Sequence, residues 1–275
     1  MSDNLGAYKL NTIHCGHSEQ LMLALPGDSI DLVVTSPPYG QLRAYDGYYM
    51  AFKPMAEQIA RVLKIGGVLV WVEGDESDEL GESGVSFQHA LYFRNECSLR
   101  LHDTMIYMKA GASYPSQDKY YQCFEYMFIL SKGKPKTFNP LKDRENRWYG
   151  QKWSKVRTRR QQDGSLSSQT WDADEGEKYG VRFNIWQYAV GAGNHGDPIC
   201  HEHPAPFPEA LARDHILSWS SPGDIVFDPM CGSGTTLAMA HQEGRKWLGF
   251  DISQKYCELS ERRVRNVTPS FMSML

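Results

Sequence analysis

The sequence predicts an α/β fold, an open sheet assembled from βαβ units. Three observations lead there. A β-branched apolar run, Ile30 to Thr35, stops at Ser36-Pro37-Pro38-Tyr39, the pattern of a buried strand ending in a stiff tip. An amphipathic stretch over residues 51–63, with Met55, Ile59, Val62 and Leu63 near helical spacing, leads through Gly66-Gly67 into the apolar run 68–72. Residues 225–251 read as strand, glycine turn, helix and strand, and an acid, Asp251, closes the unit.

At 275 residues the chain is long enough for one large domain, or for one domain with an insertion. No apolar run approaches the ~18–20 residues of a membrane span, so no membrane partner is expected. The opening Met1-Ser2-Asp3-Asn4 lacks the basic and apolar regions of a secretory signal, so none is expected. Six cysteines are scattered without a C-x-x-C pair. That argues against a disulfide framework or zinc ribbon and fits a reducing, cytoplasmic setting. With a net charge of −4, any affinity for nucleic acid has to come from a local patch.

In chain order, residues 8–15 suit a short first strand and 18–25 a helix with Ser18 as its N-cap. Pro26-Gly27-Asp28 turns into the strand 30–35, and the Tyr- and Gly-punctuated stretch 40–49 reads as a loop. The helix 51–63 is expected to stop at Gly66-Gly67, with a strand over 68–72. Residues 73–84, acidic and Gly/Ser-rich, read as a loop, 87–99 as a helix, and 101–109 and 125–130 as strands. Composition then changes. Residues 142–160 hold eight basic side chains against two acidic ones, a local +6, with Trp148, Tyr149 and Trp153 interleaved. Residues 137–180 are expected to be an insertion between two halves of one domain, 1–136 and 181–275. The second half is expected to hold a helix at 208–219 with Pro at its start, a strand at 225–227, a helix to about 243, a strand at 246–250 and a last helix at 256–264.

The proline tip carries the first chemistry. Pro38 drives Pro37 out of the helical region, and neither offers an N–H. The Ser36 hydroxyl and the Pro37 carbonyl are then acceptors at the carboxyl edge of the sheet, where open α/β sheets bind ligands. Tyr39 adds a flat face. Such a tip suits an amino group on a flat ring, although on local grounds alone it reads first as a strand-ending turn. The second motif is Asp228-Pro229-Met230-Cys231-Gly232-Ser233-Gly234-Thr235-Thr236. Its glycines let backbone approach a ligand, and a helix N-terminus stands behind them. Asp251, 23 residues after Asp228, fits the ~20-residue spacing at which an acid meets ribose hydroxyls. The alternative is an acid capping the next helix. The turn lacks the full G-x-G-x-x-G and the P-loop G-K-[ST], which favours a ligand with one ribose and a carboxylate, such as S-adenosyl-L-methionine (SAM), over NAD or ATP.

Thr35-Ser36-Pro37-Pro38-Tyr39, followed much later by the run 227–236, resembles the amino-directed DNA methyltransferases. The order, with the catalytic motif first and the cofactor motif last, resembles their permuted β class. The run 203–211, which begins His203-Pro204-Ala205-Pro206-Phe207, resembles the family's third landmark on the methionine side of the cofactor. Residues 61–67 and 124–132 are also similar to family segments, and the resemblance covers about 8–136 and 182–265. It implies a Rossmann-like SAM-dependent methyltransferase sheet with permuted motif order and an inserted target-recognition segment. It implies that SAM is held by Thr35, His203, Pro204, Phe207, Asp228, Pro229, Cys231, Gly232, Ser233, Gly234, Thr235 and Asp251. It implies methyl transfer to the exocyclic amine of a base flipped out of double-stranded DNA, with Ser36, Pro37, Pro38 and Tyr39 as the catalytic residues. Members with Ser before Pro-Pro-Tyr are mostly N4-cytosine enzymes and those with Asp mostly N6-adenine enzymes. Ser36 therefore favours cytosine, with adenine as the alternative. Members often carry Gly-Asp after the first strand; this chain has Gly16-His17, and no role is expected of His17. Homodimers are common in the class, but no surface in the sequence marks an interface.

The resemblance also gives the basic segment a partner. Lys152, Lys155, Arg157, Arg159 and Arg160, together with Arg43 after the tip, are expected to contact phosphates and guanine edges. Without the methyltransferase motifs the segment would read as a solvated charged loop. His195, Cys200, His201 and His203 lack a zinc spacing, so no metal is expected. A catalytically silent nucleic-acid-binding protein on the same fold is the competing class. The intact tip and the intact Gly232 and Gly234 speak against it.

Overall fold

The computed structural model describes residues 3–38, 50–78, 81–110, 119–147, 149–150, 156–170, 177–189, 202–203 and 208–269. The chain divides into two compact units, Met1–Asn139 with Asn184–Leu275, and Pro140–Phe183.

The first unit is built on an eight-stranded sheet: β1 (Thr12–Cys15), β2 (Ile30–Thr35), β3 (Leu63–Glu73), β4 (Arg100–Ala110), β5 (Phe124–Ser131), β6 (Ile185–Ala189), β7 (Ile225–Asp228) and β8 (Lys246–Asp251). The spatial order is β6-β4-β5-β3-β2-β7-β8-β1. β5 runs antiparallel to both β3 and β4, and every other neighbouring pair is parallel. The helices are α1 (Ser18–Leu21), α2 (Phe52–Val62), α3 (Val85–Asn95), α4 (Glu209–Trp219), α5 (Thr235–Gln242) and α6 (Gln254–Asn266). α2 packs against α1 and α3, while α5 packs against α4 and α6. The crossovers β2–α2–β3 and β7–α5–β8 leave the centre of the sheet in opposite directions. Right-handed connections therefore put α2 and α5 on opposite faces.

Covered on both sides, the central strands can be apolar along their whole length. Ile30, Val33, Leu69, Trp71, Phe227, Leu248 and Phe250 are buried in one cluster with Ile59 of α2 and Phe93 of α3. The strand runs at 30, 225 and 246 lie where their β-branched and aromatic patterns predict.

Three local expectations are corrected. α2 ends at Val62, and β3 begins at once, with Leu63 opposite Ile30. Gly66-Gly67 does not stop the helix but lies inside β3, at a register shift between Ile30 and Leu32. Gly66 has φ +83, and a Cβ on Gly67 would lie 3.0 Å from the Asp31 carbonyl oxygen. Ser18 is not a cap: His17 holds that position, and the buried Ser18 hydroxyl donates instead to the carbonyl of Pro229. The stretch 73–84 is not simply loop. It opens with the last residue of β3 and contains a small hairpin, Ser77–Asp78 with Gly81–Glu82. The Asp75 carboxylate then accepts the Ser86 N–H at 3.1 Å in the first turn of α3.

In the second unit, Arg144–Glu145 pairs with Tyr179–Gly180, and Val156–Arg160 forms an antiparallel hairpin with Leu166–Thr170. The hairpin turn is a local solution. Gly164 sits at φ +83, and the Asp163 side chain accepts the Ser165 N–H at 2.9 Å. Arg182 pairs with Asp143, and the Arg144 guanidinium lies 4.6 Å from the centre of the Phe183 ring.

Candidate active site

β2 and β7 are neighbours, with Leu32 opposite Val226 and Val33 opposite Phe227. The crossovers diverge at this pair, so its carboxyl ends border the crevice where such sheets take ligands. The proline tip follows β2 and the glycine turn follows β7. They are tied directly: the buried Thr35 Oγ1 donates to Asp228 Oδ1 at 2.7 Å. The Met230 N–H donates to the same oxygen at 3.1 Å. Thr236 Oγ1, in the first turn of α5, donates to the Val34 carbonyl at 3.1 Å. Burial pushes the Asp228 carboxyl up to about 6, against the opposing pull of Thr35, Met230 and Thr236.

The glycine turn needs its glycines. Gly232 and Gly234 have φ +51 and +77. A Cβ on Gly232 would lie 2.9 Å from His203 Nε2, and one on Gly234 would lie 2.7 Å from Ser260 Oγ. His203 thus covers the turn, and its ring meets Tyr256 edge-on at 4.5 Å between centroids. Asp251 anchors the turn from β8. Its Oδ2 accepts the Gly232 N–H at 2.8 Å, and its Oδ1 accepts the Ser253 N–H at 2.9 Å, just before α6. Asp251 is not the cap of α6, since Ser253 holds that position without a side-chain capping bond; it orders the turn ahead of the helix and still has lone pairs on each oxygen beside the glycine turn. Burial raises its pKa, and the backbone N–H groups of Ser253 and Gly232 oppose the rise. Burial also pushes the Cys231 thiol well up, so it is a neutral packing group and not a nucleophile.

At the tip, Thr35 and Pro37 are buried while Ser36 and Pro38 are half-buried. Pro229, Ser233 and Thr235 lie in the turn or the first turn of α5 with Asp228, Cys231 and the two glycines. Tyr39, Arg43, Lys152, Lys155, Pro204 and Phe207 lie outside the described residues, as do His195, Cys200 and His201. Arg157, Arg159 and Arg160 belong to the hairpin of the second unit, where Arg159 and Arg160 are exposed. His17 is the N-cap of α1, with Nδ1 3.5 Å from Glu19 Oε1.

Sequence reasoning missed several residues around this edge. Ser260 Oγ donates to the Gly232 carbonyl at 2.8 Å, and the fully buried Arg263 reaches Ser233 and Thr235. Glu73, also fully buried, ends β3. It accepts Trp71 Nε1–H at 2.8 Å and lies 2.8 Å from His89 Nδ1. The signals were present: an acid closing an apolar strand, and polar residues recurring on one face of the last helix.

An open α/β sheet with a glycine turn and a strand-end acid on one side, and an acceptor-bearing tip on the other, defines the SAM-dependent methyltransferase class. The DNA methylase family of N6- and N4-directed enzymes matches residues 30–262. The orphan methyltransferase M.BamHII of Bacillus amyloliquefaciens is 51% identical over 240 residues, covering 86% of this chain and 89% of its own. Among solved structures, the protein TTHA0409 of Thermus thermophilus, complexed with S-adenosyl-L-methionine, superposes with a TM-score of 0.61 at 22% identity, covering 94% of this chain and 97% of that one. The cytosine-N4-specific PvuII DNA methyltransferase superposes with a TM-score of 0.64 at 18% identity, covering 96% and 95%. This chain belongs to the N6/N4 DNA methylase family. It is a DNA methyltransferase, and the cofactor of the family is SAM. Among the described residues, no helix is long and apolar enough to cross a membrane.

Proposed function

We propose that this enzyme methylates the N4 amine of cytosine. The observation that carries the proposal is Ser36, a serine and not an aspartate, at the tip after β2, one residue beyond the Thr35–Asp228 bond. SAM supplies an electrophilic methyl group on a sulfonium. The chain's own task is to make a poor nucleophile attack it, because the exocyclic lone pair is delocalised into the ring. The Ser36 hydroxyl and the Pro37 carbonyl accept the two N–H groups of the amine. That favours a pyramidal nitrogen and aims its lone pair across the crevice toward the glycine turn. Catalysis is then positioning and electrostatics without a covalent enzyme intermediate. Flipping the base costs a few kcal/mol, and stacking on Tyr39 returns about 1–3 kcal/mol.

In this reading Thr35, Asp228, Pro229, Cys231, Gly232, Ser233, Gly234, Thr235 and Asp251 hold the cofactor, with His203, Pro204 and Phe207 on its methionine side. The segment 137–180 is the target-recognition element. Its support is the cationic stretch 142–160, which includes Arg159 and Arg160, exposed on the hairpin. Lys152, Lys155, Arg157 and Arg43 join them at the DNA.

The test is incubation with labelled SAM and duplex DNA, followed by nucleoside mass spectrometry. N4-methylcytosine is expected. N6-methyladenine as the sole product would overturn the base assignment while leaving the enzyme class intact.

A further inference from the structure

One face of the last helix builds the underside of the glycine turn. Tyr256, Ser260 and Arg263 recur at i, i+4 and i+7 and so share a face of α6. Tyr256 packs on His203, and the Ser260 hydroxyl holds the Gly232 carbonyl at 2.8 Å. Arg263 does more. Its Nη1 donates to Thr235 Oγ1 at 2.8 Å, to Ser233 Oγ at 3.1 Å and to the Ser233 carbonyl at 3.2 Å. Its Nη2 donates to Glu209 Oε1 at 2.6 Å. Glu209 is the first residue of α4 and follows the stretch 203–208 directly.

A guanidinium with no exposed surface is an expensive way to fill space, and an apolar side chain of similar volume would often serve stability as well or better. What the charge adds is direction. The planar fork holds two groups in a fixed relation that a flexible ammonium cannot reproduce. On one prong is the turn between Gly232 and Gly234, whose left-handed backbone depends on its surroundings. On the other is the Glu209 carboxylate at the start of α4. The turn is one wall of the proposed cofactor site.

We infer that Arg263 is a positioning residue for SAM: by clamping the glycine turn to Glu209 at the start of α4 it sets the enzyme's affinity for the cofactor. The inference rests on assigning the glycine turn to the SAM site.

The test is calorimetric titration of SAM into wild-type protein, Arg263→Met, Arg263→Lys and Glu209→Gln, with steady-state kinetics on duplex DNA. Arg263→Met is expected to raise both the Kd and the KM for SAM by about tenfold or more. At saturating SAM its kcat stays within about threefold of wild type. Arg263→Lys falls between, because an ammonium reaches Glu209 or the turn but not both. Glu209→Gln raises the Kd in the same direction, because it removes the charge that Arg263 Nη2 binds. A purely structural role would lower thermal stability and the active fraction and leave the KM of the folded enzyme unchanged. Wild-type SAM affinity in Arg263→Met overturns the inference. If that variant does not fold, unchanged affinity in both Arg263→Lys and Glu209→Gln overturns it. Wild-type protein that binds no SAM would overturn the cofactor assignment itself, an outcome distinct from failure of the clamp alone.

Discussion

Thr35 and Asp228 lie 193 positions apart in the chain and 2.7 Å apart in the fold, hydroxyl to carboxylate. The bond joins the residue before Ser36 to the residue that opens the glycine turn. It fixes the height of the proline tip against the glycine turn where the crossovers β2–α2–β3 and β7–α5–β8 diverge.

Thr35→Val keeps the shape and removes the donor. Asp228 Oδ1 keeps the Met230 N–H but loses a buried partner. A loss of about 1–3 kcal/mol in urea unfolding is expected, with SAM affinity falling alongside it. A variant as stable and as tight-binding as wild type would show that the two motifs are energetically independent.

The raised Asp228 pKa has a definite sign. Its carboxyl titrates near 6 in the folded protein, against an ordinary value of 3.8. Between those values the folded state binds more protons than the unfolded state, so stability falls as pH rises through the window. The contribution is complete below pH 4 and gone above about pH 6, and it amounts to at most about 3 kcal/mol. Asp228→Asn cannot ionise. The stability of that variant relative to wild type is expected to be greater at pH 7.5 than at pH 4.5, read from urea midpoints. A difference that is flat with pH would refute the buried-carboxylate account.

Asp251→Ala strips the acceptors from the Gly232 and Ser253 N–H groups. Charge-assisted bonds of this kind are each worth about 1.5–3 kcal/mol, so SAM affinity is expected to drop by about tenfold or more. Asp251→Asn, which keeps one acceptor, is expected to fall between. Equal affinity across all three proteins would reduce Asp251 to a structural acceptor for the turns before α5 and α6.

Ser36→Ala separates the two sides of the site. SAM affinity is expected to stay at the wild-type value while kcat falls by about a hundredfold or more. Loss of SAM binding would place Ser36 on the cofactor side instead.

Neutralising Arg157, Arg159 and Arg160 together is expected to weaken binding to duplex DNA. It should also flatten the plot of log affinity against log salt by about 2–3 in slope, the signature of three lost phosphate contacts. An unchanged slope would make the hairpin a bystander.

Much of the fold is legible in the chain because its signals are local. The run 30–35 is β-branched and ends at two prolines, and the run 246–251 is an apolar strand closed by an acid; both form strands in place. The glycine turn announces itself because only glycine sits easily at the φ of Gly232 and Gly234. The family, and with it the cofactor, follows from two short motifs and their order.

Tertiary structure alone decided the rest, because it depends on partners far away in the sequence. β3 starts at Leu63, ahead of the glycines, because Ile30 is there to pair with it. Ser18 turns away from helix capping because the Pro229 carbonyl, 211 positions on, takes its hydroxyl. Arg263 looks like one more exposed charge on a basic, polar helix until α6 packs, when the turn at Ser233 and the carboxylate of Glu209 enclose it completely. Periodicity tells which residues share a helix face, but only packing tells which face is buried and what stands opposite.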